Sequence, residues 1–167
     1  TPLAGIMMGT RSGDVDPSVM PYLCKKLNKS VDEVLEIYNK KSGMLGISGI
    51  SSDSRDIEDG INNGDERCIL AQKMYVKRIV DFIAKYYVEL GGCDAIIFTA
   101  GVGENSISTR MEVMEKLACL GVKPDEERNN VRGKEALISA DNSKIPVYVI
   151  PTNEELMIAT DTYNLAK

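Results

Sequence analysis

The chain has 167 residues, 43% of them hydrophobic and 27% charged, with a net charge of −5 and no histidine. That length and balance suit a single globular domain with a sizeable core. No apolar run approaches a membrane span. An acidic chain without a basic stripe offers no nucleic-acid surface, and the missing histidine excludes Ser-His and Cys-His nucleophilic chemistry, so any general base is expected to be a carboxylate.

Residues 1–10 read as loop or short extended segment. Arg11 follows, between Gly9 and Gly13 and close to Asp14 and Asp16. Taken alone, this is a glycine-relieved turn whose arginine is tied to the aspartates. Asp16-Pro17 opens a helix with proline at its first position, and Met20, Leu23 and Leu27 give it an apolar face. Ser30 and Glu33 have capping-box spacing. Val31, Val34, Leu35 and Tyr38 predict the buried stripe of the next helix, which Gly43 stops. Residues 44–52 are small and glycine-punctuated and read as a loop. Asp53 or Asp56 caps a short helix to about residue 62. The segment 53–56 is either a polar helix start or one wall of an adenosine pocket.

Residues 65–90 form the longest predicted helix. Ile69, Val76, Val80, Ile83, Tyr87 and Leu90 make a continuous apolar stripe. Lys73, Lys77, Asp81, Lys85 and Glu89 recur every four residues on the solvated face. Gly91-Gly92 ends the helix. Ala95-Ile96-Ile97-Phe98 then has the β-branched and aromatic content of a buried strand. It runs into Thr99-Ala100-Gly101-Val102-Gly103-Glu104-Asn105-Ser106. Glycines there let a backbone approach a ribose or phosphate, and the helix start beyond presents unpaired N–H groups to an anion. The same Gly-x-Gly also suits a plain strand-to-helix turn. The third glycine of a dinucleotide fingerprint is absent.

A helix through Met111, Met114, Leu117 and Leu120 ends at Gly121. Residues 122–143 are polar and read as a surface excursion. Ile145, Val147, Val149 and Ile150 predict a second strand, ended by Pro151. Thr152 or Asn153 caps a final helix, and Glu154 and Glu155 in its first turn are explained by the helix dipole alone. Cys24, Cys68, Cys93 and Cys119 have no C-x-x-C spacing and are expected to be buried, reduced thiols of a cytoplasmic protein. No signal peptide opens the chain, and the lack of an initiating Met fits either a cleaved piece or Met removal.

Four stretches, Met8 to Pro17, Gly46 to Asp56, Phe98 to Ser106 and Pro151 to Leu156, together resemble the acetate kinase family of the acetate and sugar kinase, heat-shock chaperone and actin superfamily. The likeness runs in register along the whole chain, without departure in any of the four, and covers somewhat under half of a family member. It implies an α/β fold: a partial ribonuclease H-like, actin-like ATPase domain, helix-rich and with few strands. Residues 1–167 would be the C-terminal portion of the nucleotide-binding, dimer-forming C-terminal domain, with the N-terminal domain absent.

The resemblance also implies chemistry. ATP and acetate would be converted reversibly to ADP and acetyl phosphate by direct in-line transfer, in a homodimer. Arg11 would stabilise the transferring phosphoryl group. Asp53, Ser54 and Arg55 would line the adenosine side, and Gly101, Val102, Gly103, Glu104 and Asn105 would contact the nucleotide. Glu154 would bind Mg²⁺, or Mn²⁺ in its stead. An arginine's planar fork suits a trigonal phosphoryl group, and a carboxylate oxygen suits an octahedral Mg²⁺ shell. The family also uses an asparagine, a second arginine, an aspartate, a histidine and a phosphate loop from earlier in the enzyme. The chain alone is therefore expected to be inactive and to need its missing half. The alternatives are a propionate or butyrate kinase fragment, or a non-catalytic nucleotide-binding or dimer-forming module.

Overall fold

The computed structural model describes residues 2–167; Thr1 lies outside them. The chain divides between Gly92 and Cys93 into two compact units.

The first unit is all helical. Helix α1 spans Val19–Leu27. It starts two residues later than its proline suggests, because Asp16 Oδ1 accepts from both the amide (2.8 Å) and the hydroxyl (2.7 Å) of Ser18 and holds residues 16–18 as a turn. Helix α2, Val31–Lys40, begins at the expected capping box, with Ser30 and Glu33 satisfying each other's amides. Only Val34 and Tyr38 of its predicted stripe are buried; Val31 and Leu35 are exposed.

Gly43 does not merely end α2. It opens helix α3, Gly43–Ser48, where sequence reading expects a loop. The α3 start is held by another stretch of chain: the amides of Met44 and Leu45 donate to the carbonyls of Met8 and Gly9, each at 2.9 Å. Those two donors are among the four that a helix start leaves unpaired, so tertiary contact, not propensity, makes this helix. Helix α4, Ser54–Asn62, is capped by Asp53.

Helix α5, Glu66–Glu89, is capped by Asp65, whose Oδ1 accepts from the Arg67 and Cys68 amides. It packs on α3 and α4. Met7, Met44, Ile57, Cys68 and Ala71 form the core there, flanked by Ile47, Ile61 and Tyr75. Burying a side chain of this size contributes roughly 1.5–3 kcal/mol. Cover over the apolar stripe of α5 is partial and is lost at its C-terminal end. Val76 is fully buried, Ile69, Val80, Ile83 and Tyr87 are half-buried, and Tyr86, Val88 and Leu90 are exposed. Of the cysteines, only Cys68 is buried; Cys119 is exposed.

The second unit is built on a three-stranded sheet of order β1-β3-β2. Strand β1, Ile96–Phe98, runs parallel to β3, Val147–Val149, with Ile96 opposite Val147. Strand β2, Ala136–Leu137, runs antiparallel to β3. Two of these strands match the sequence reading. The third lies in the expected surface excursion, which also contributes buried Val122, Ile138 and Ser139. Its polar composition conceals one short core-facing stretch.

Between β1 and β3 run helices α6, Ala100–Asn105, and α7, Ile107–Lys116, then a 3₁₀ turn, Ala118–Leu120, and the short α8, Glu126–Asn129. Gly121 follows the turn in the left-handed region. The predicted helix through Leu120 thus ends at Lys116. Helix α9, Glu154–Leu165, is capped by Asn153 and has no buried residue. The outcome is the expected helix-rich α/β fold with few strands.

Candidate functional site

Arg11 lies on a loop that the first unit holds at both sides. Ser12 N donates to the Tyr38 carbonyl and Ser42 N to that of Thr10, each at 2.9 Å. Gly13 has φ +73°, and a Cβ there would lie 2.6 Å from Met7 N, so the turn requires glycine. The neighbouring aspartates are engaged elsewhere. Asp14 accepts from the Gly5 amide at 2.8 Å and pairs with Arg78 at 3.3 Å, and Asp16 caps Ser18. The expected tie between Arg11 and these aspartates is absent, and the Arg11 side chain is exposed. Its guanidinium fork is therefore available to an anion.

The second predicted segment approaches the first. A Cβ at Gly9 would sit 2.9 Å from the Ser52 carbonyl oxygen, so the Arg11 loop rests directly against the lead-in to Asp53. Asp53 caps α4 through the Arg55 amide (2.9 Å) and binds the Arg55 guanidinium twice, at 3.0 and 2.6 Å. That guanidinium, then the amide, holds the Asp53 carboxyl at about 2. Two of the five Arg55 donors are spent on Asp53, which fixes the plane of an exposed guanidinium whose face and remaining N–H groups stay open to solvent.

In the second unit, Ala100, Gly101, Glu104, Thr152, Asn153, Glu154 and Glu155 line an open cavity of about 530 Å³. Three site residues expected from sequence, Gly101, Glu104 and Glu154, therefore meet although they lie some fifty positions apart. Val102, Gly103 and Asn105 do not line it. A Cβ on Gly101 would meet nothing within 4 Å, whereas one on Gly103 would touch the Phe98 backbone at 3.4 Å. The supposed glycine loop is itself helix α6, and the strained position is the preceding Ala100, with φ +59°. An L-residue there carries about 1–2 kcal/mol of steric strain.

Glu104 does not point free into the cavity. Its Oε1 accepts from the Thr152 amide at 2.9 Å and hydroxyl at 3.1 Å. The Thr152 amide is the chief reason its carboxyl sits below the ordinary range. Thr152 Oγ1 also meets Thr99 Oγ1 at 2.9 Å and accepts from the Ala100 amide at 3.2 Å. This cluster ties α6 to the linker that carries Glu154. Asn105 is exposed and lies back along its own helix, its Nδ2 donating to the Gly101 carbonyl at 2.9 Å.

Sequence reading missed Thr99, Thr152 and Ala100, and also Arg110, which is fully buried beneath α6. Arg110 did leave a signal: it stands at the head of the spacing Arg110, Val113, Met114, Leu117, an apolar stripe with one cation in it. Among the described residues no three His, Cys, Asp or Glu side chains converge as a ready metal cage. Glu154 at the cavity wall offers one carboxylate, which fits a cation that takes its remaining oxygens from water and phosphate.

The acetokinase family model matches residues 1–160. An acetate kinase from Finegoldia magna is 56% identical over 167 residues, all of this chain and 42% of that protein. The crystal structure of Porphyromonas gingivalis acetate kinase superposes with a TM-score of 0.94 at 48% identity, over all of this chain and 42% of that one. A propionate kinase from Francisella tularensis subsp. tularensis SCHU S4 superposes with a TM-score of 0.89 at 42% identity, over 95% of this chain and 40% of its own. The chain thus spans about two fifths of the length of these relatives. With the family model matching residues 1–160, a span that contains all four motif segments, the chain belongs to the acetokinase family.

Proposed function

We propose that residues 1–167 act as the C-terminal, nucleotide- and metal-binding part of an ATP:acetate phosphotransferase that interconverts ATP and acetate with ADP and acetyl phosphate. The observation that carries this reading is the cavity on which Gly101, Glu104 and Glu154 converge. A glycine with open space above it admits a nucleotide to the backbone, and a carboxylate beside it is where Mg²⁺ on that nucleotide would be held. Such a cation would screen the phosphate charge.

Within this reading, Arg11 donates to the equatorial oxygens of the transferring phosphoryl group, whose charge must be neutralised during in-line transfer. Asp53, Ser54 and Arg55 line the adenosine side, with the Asp53–Arg55 pairing fixing the guanidinium plane. Asp53 and Glu104, both with lowered pKa, stay ionised at neutral pH and cannot serve as proton donors there. The exposed end of α5 suits a dimer contact, since Tyr86, Val88 and Leu90 stand uncovered among the described residues.

The deciding experiment supplies the remaining part of the enzyme. Arg11→Ala should then lower kcat at least a hundredfold while nucleotide KM stays within threefold, because its contact is made mainly in the transition state. The chain alone should form no acetyl phosphate in a coupled ADP assay. Near wild-type kcat in Arg11→Ala would return Arg11 to a structural turn residue, and turnover by the chain alone would refute its expected dependence on the missing half. A second reading is transfer to propionate or butyrate; the likeness to a propionate kinase supports the propionate case. Comparing kcat/KM for the three acids separates it from the first.

A further inference from the structure

We infer that Arg110 and Arg132 form a clamp on the C-terminal end of α6 and act as positioning residues for the cavity; this rests on the nucleotide reading of α6. Three successive carbonyls end that helix. Arg110 Nη1 donates to those of Gly103 (3.0 Å) and Glu104 (2.9 Å), and Arg132 Nη1 donates to that of Asn105. The Gly133 amide adds a further bond to Glu104 at 3.2 Å. The rest of the Arg110 fork is bound as well: Nε to Asn129 Oδ1 at 2.9 Å, and Nη2 to the carbonyls of Asn129 (2.8 Å) and Val131 (2.7 Å).

Among the described residues, the hydrogen-bond partners of Arg110 are all neutral. A fully buried guanidinium without a carboxylate is held at a desolvation penalty, and an apolar side chain of like volume would serve a core better. Burial, and then the nearby charge of Arg132, depress its pKa. What such an arrangement supplies is geometry. A rigid five-donor fork fixes several carbonyls relative to one another, which a lysine ammonium cannot do. Helix α6 needs this. It has six residues, two of them glycine, and a helix so short does not persist alone. Two cations at its C-terminal end also oppose the negative end of its dipole. The clamp then reaches the cavity through Glu104, which holds Thr152 and the linker into Glu154.

The test measures site-resolved amide exchange and MgADP affinity, the latter by calorimetry, on the chain and on Arg110→Lys, Arg132→Ala and Ile138→Val. Arg132 is exposed and its variant will fold; Ile138 is a core control. Arg132→Ala should raise exchange in residues 102–106 about tenfold, leave Val147–Val149 within twofold, and weaken MgADP about fivefold. Arg110→Lys should do the same more strongly, although it keeps the charge. Ile138→Val should raise exchange in α6 and β3 alike. The clamp is overturned if Arg132→Ala and Arg110→Lys leave α6 exchange unchanged, or raise it only in step with β3. It is also overturned if α6 loosens while a wild-type chain that binds MgADP keeps its affinity on substitution. If wild type supplied with the remaining part of the enzyme binds no MgADP yet α6 loosens selectively, the nucleotide reading fails and the clamp on α6 is upheld.

Discussion

Replacing Gly43 by alanine tests how the Arg11 loop is held in place. Gly43 has φ +61°, and a Cβ there would overlap the Met8 carbonyl oxygen and lie 2.8 Å from that of Arg11. The left-handed backbone alone costs an L-residue about 1–2 kcal/mol. The overlap is with backbone, so relief requires the loop to leave α3, which breaks the Met44→Met8 and Leu45→Gly9 hydrogen bonds. Each contributes about 1 kcal/mol net, for a total near 3–4 kcal/mol. Gly64 supplies the control: its φ is +78° but nothing lies within 4 Å, so Gly64→Ala should lose only the backbone strain of about 1–2 kcal/mol. Urea unfolding followed by far-ultraviolet circular dichroism measures both. A Gly43→Ala variant within about 1 kcal/mol of Gly64→Ala would refute the close docking of residues 8–11 on α3.

Ala100→Gly should stabilise the chain by about 0.5 kcal/mol, the strain at φ +59° outweighing glycine's greater freedom when unfolded; a lower melting temperature contradicts this. Gly101→Val should weaken MgADP binding about tenfold, or 1.4 kcal/mol, with little thermal effect, because its side chain enters the cavity. Gly103→Val should do the reverse, pressing on Phe98 and lowering the melting temperature; exchanged phenotypes would sink the assignment of the cavity. Asp53 has an ordinary pKa of 3.8 and a folded value of about 2. The unfolded chain thus binds more protons in that window, and the pair's contribution is complete above about pH 4 and lost as pH falls through about 2. Acid unfolding of Asp53→Asn should lack that slope, and an unchanged profile counts against the pairing.

What sequence reading recovered was local. Ser30, Asp53 and Asn153 cap helices through bonds reaching two or three residues onward, and such bonds are written in spacing. Helices α3 and α6 escaped because glycine argues against helix, and each is held from outside: α3 by the carbonyls of Met8 and Gly9, α6 by two arginines. The stripe on α5 was correctly seen, yet periodicity marks a face and says nothing of what covers it; Leu90 lies open. The motif residues of the cavity were legible as types. That Glu104 spends its carboxylate on Thr152, and that Arg110 lies beneath, depend on pairings 48 and 6 or 7 positions apart, only the second of which left a trace in the pattern.

The parallel pairing of β1 with β3 has a consequence for synthesis on the ribosome. Ile96 pairs with Val147, 51 positions later. At roughly 5–20 residues per second, β1 leaves the ribosome about 3–10 s before its partner exists. Helices form within microseconds, so α7 can be complete while Ile96-Ile97-Phe98 still waits as a bare apolar strand. In that interval the strand can pair wrongly with another chain, and this is the stretch on which a nascent-chain chaperone would be expected to settle.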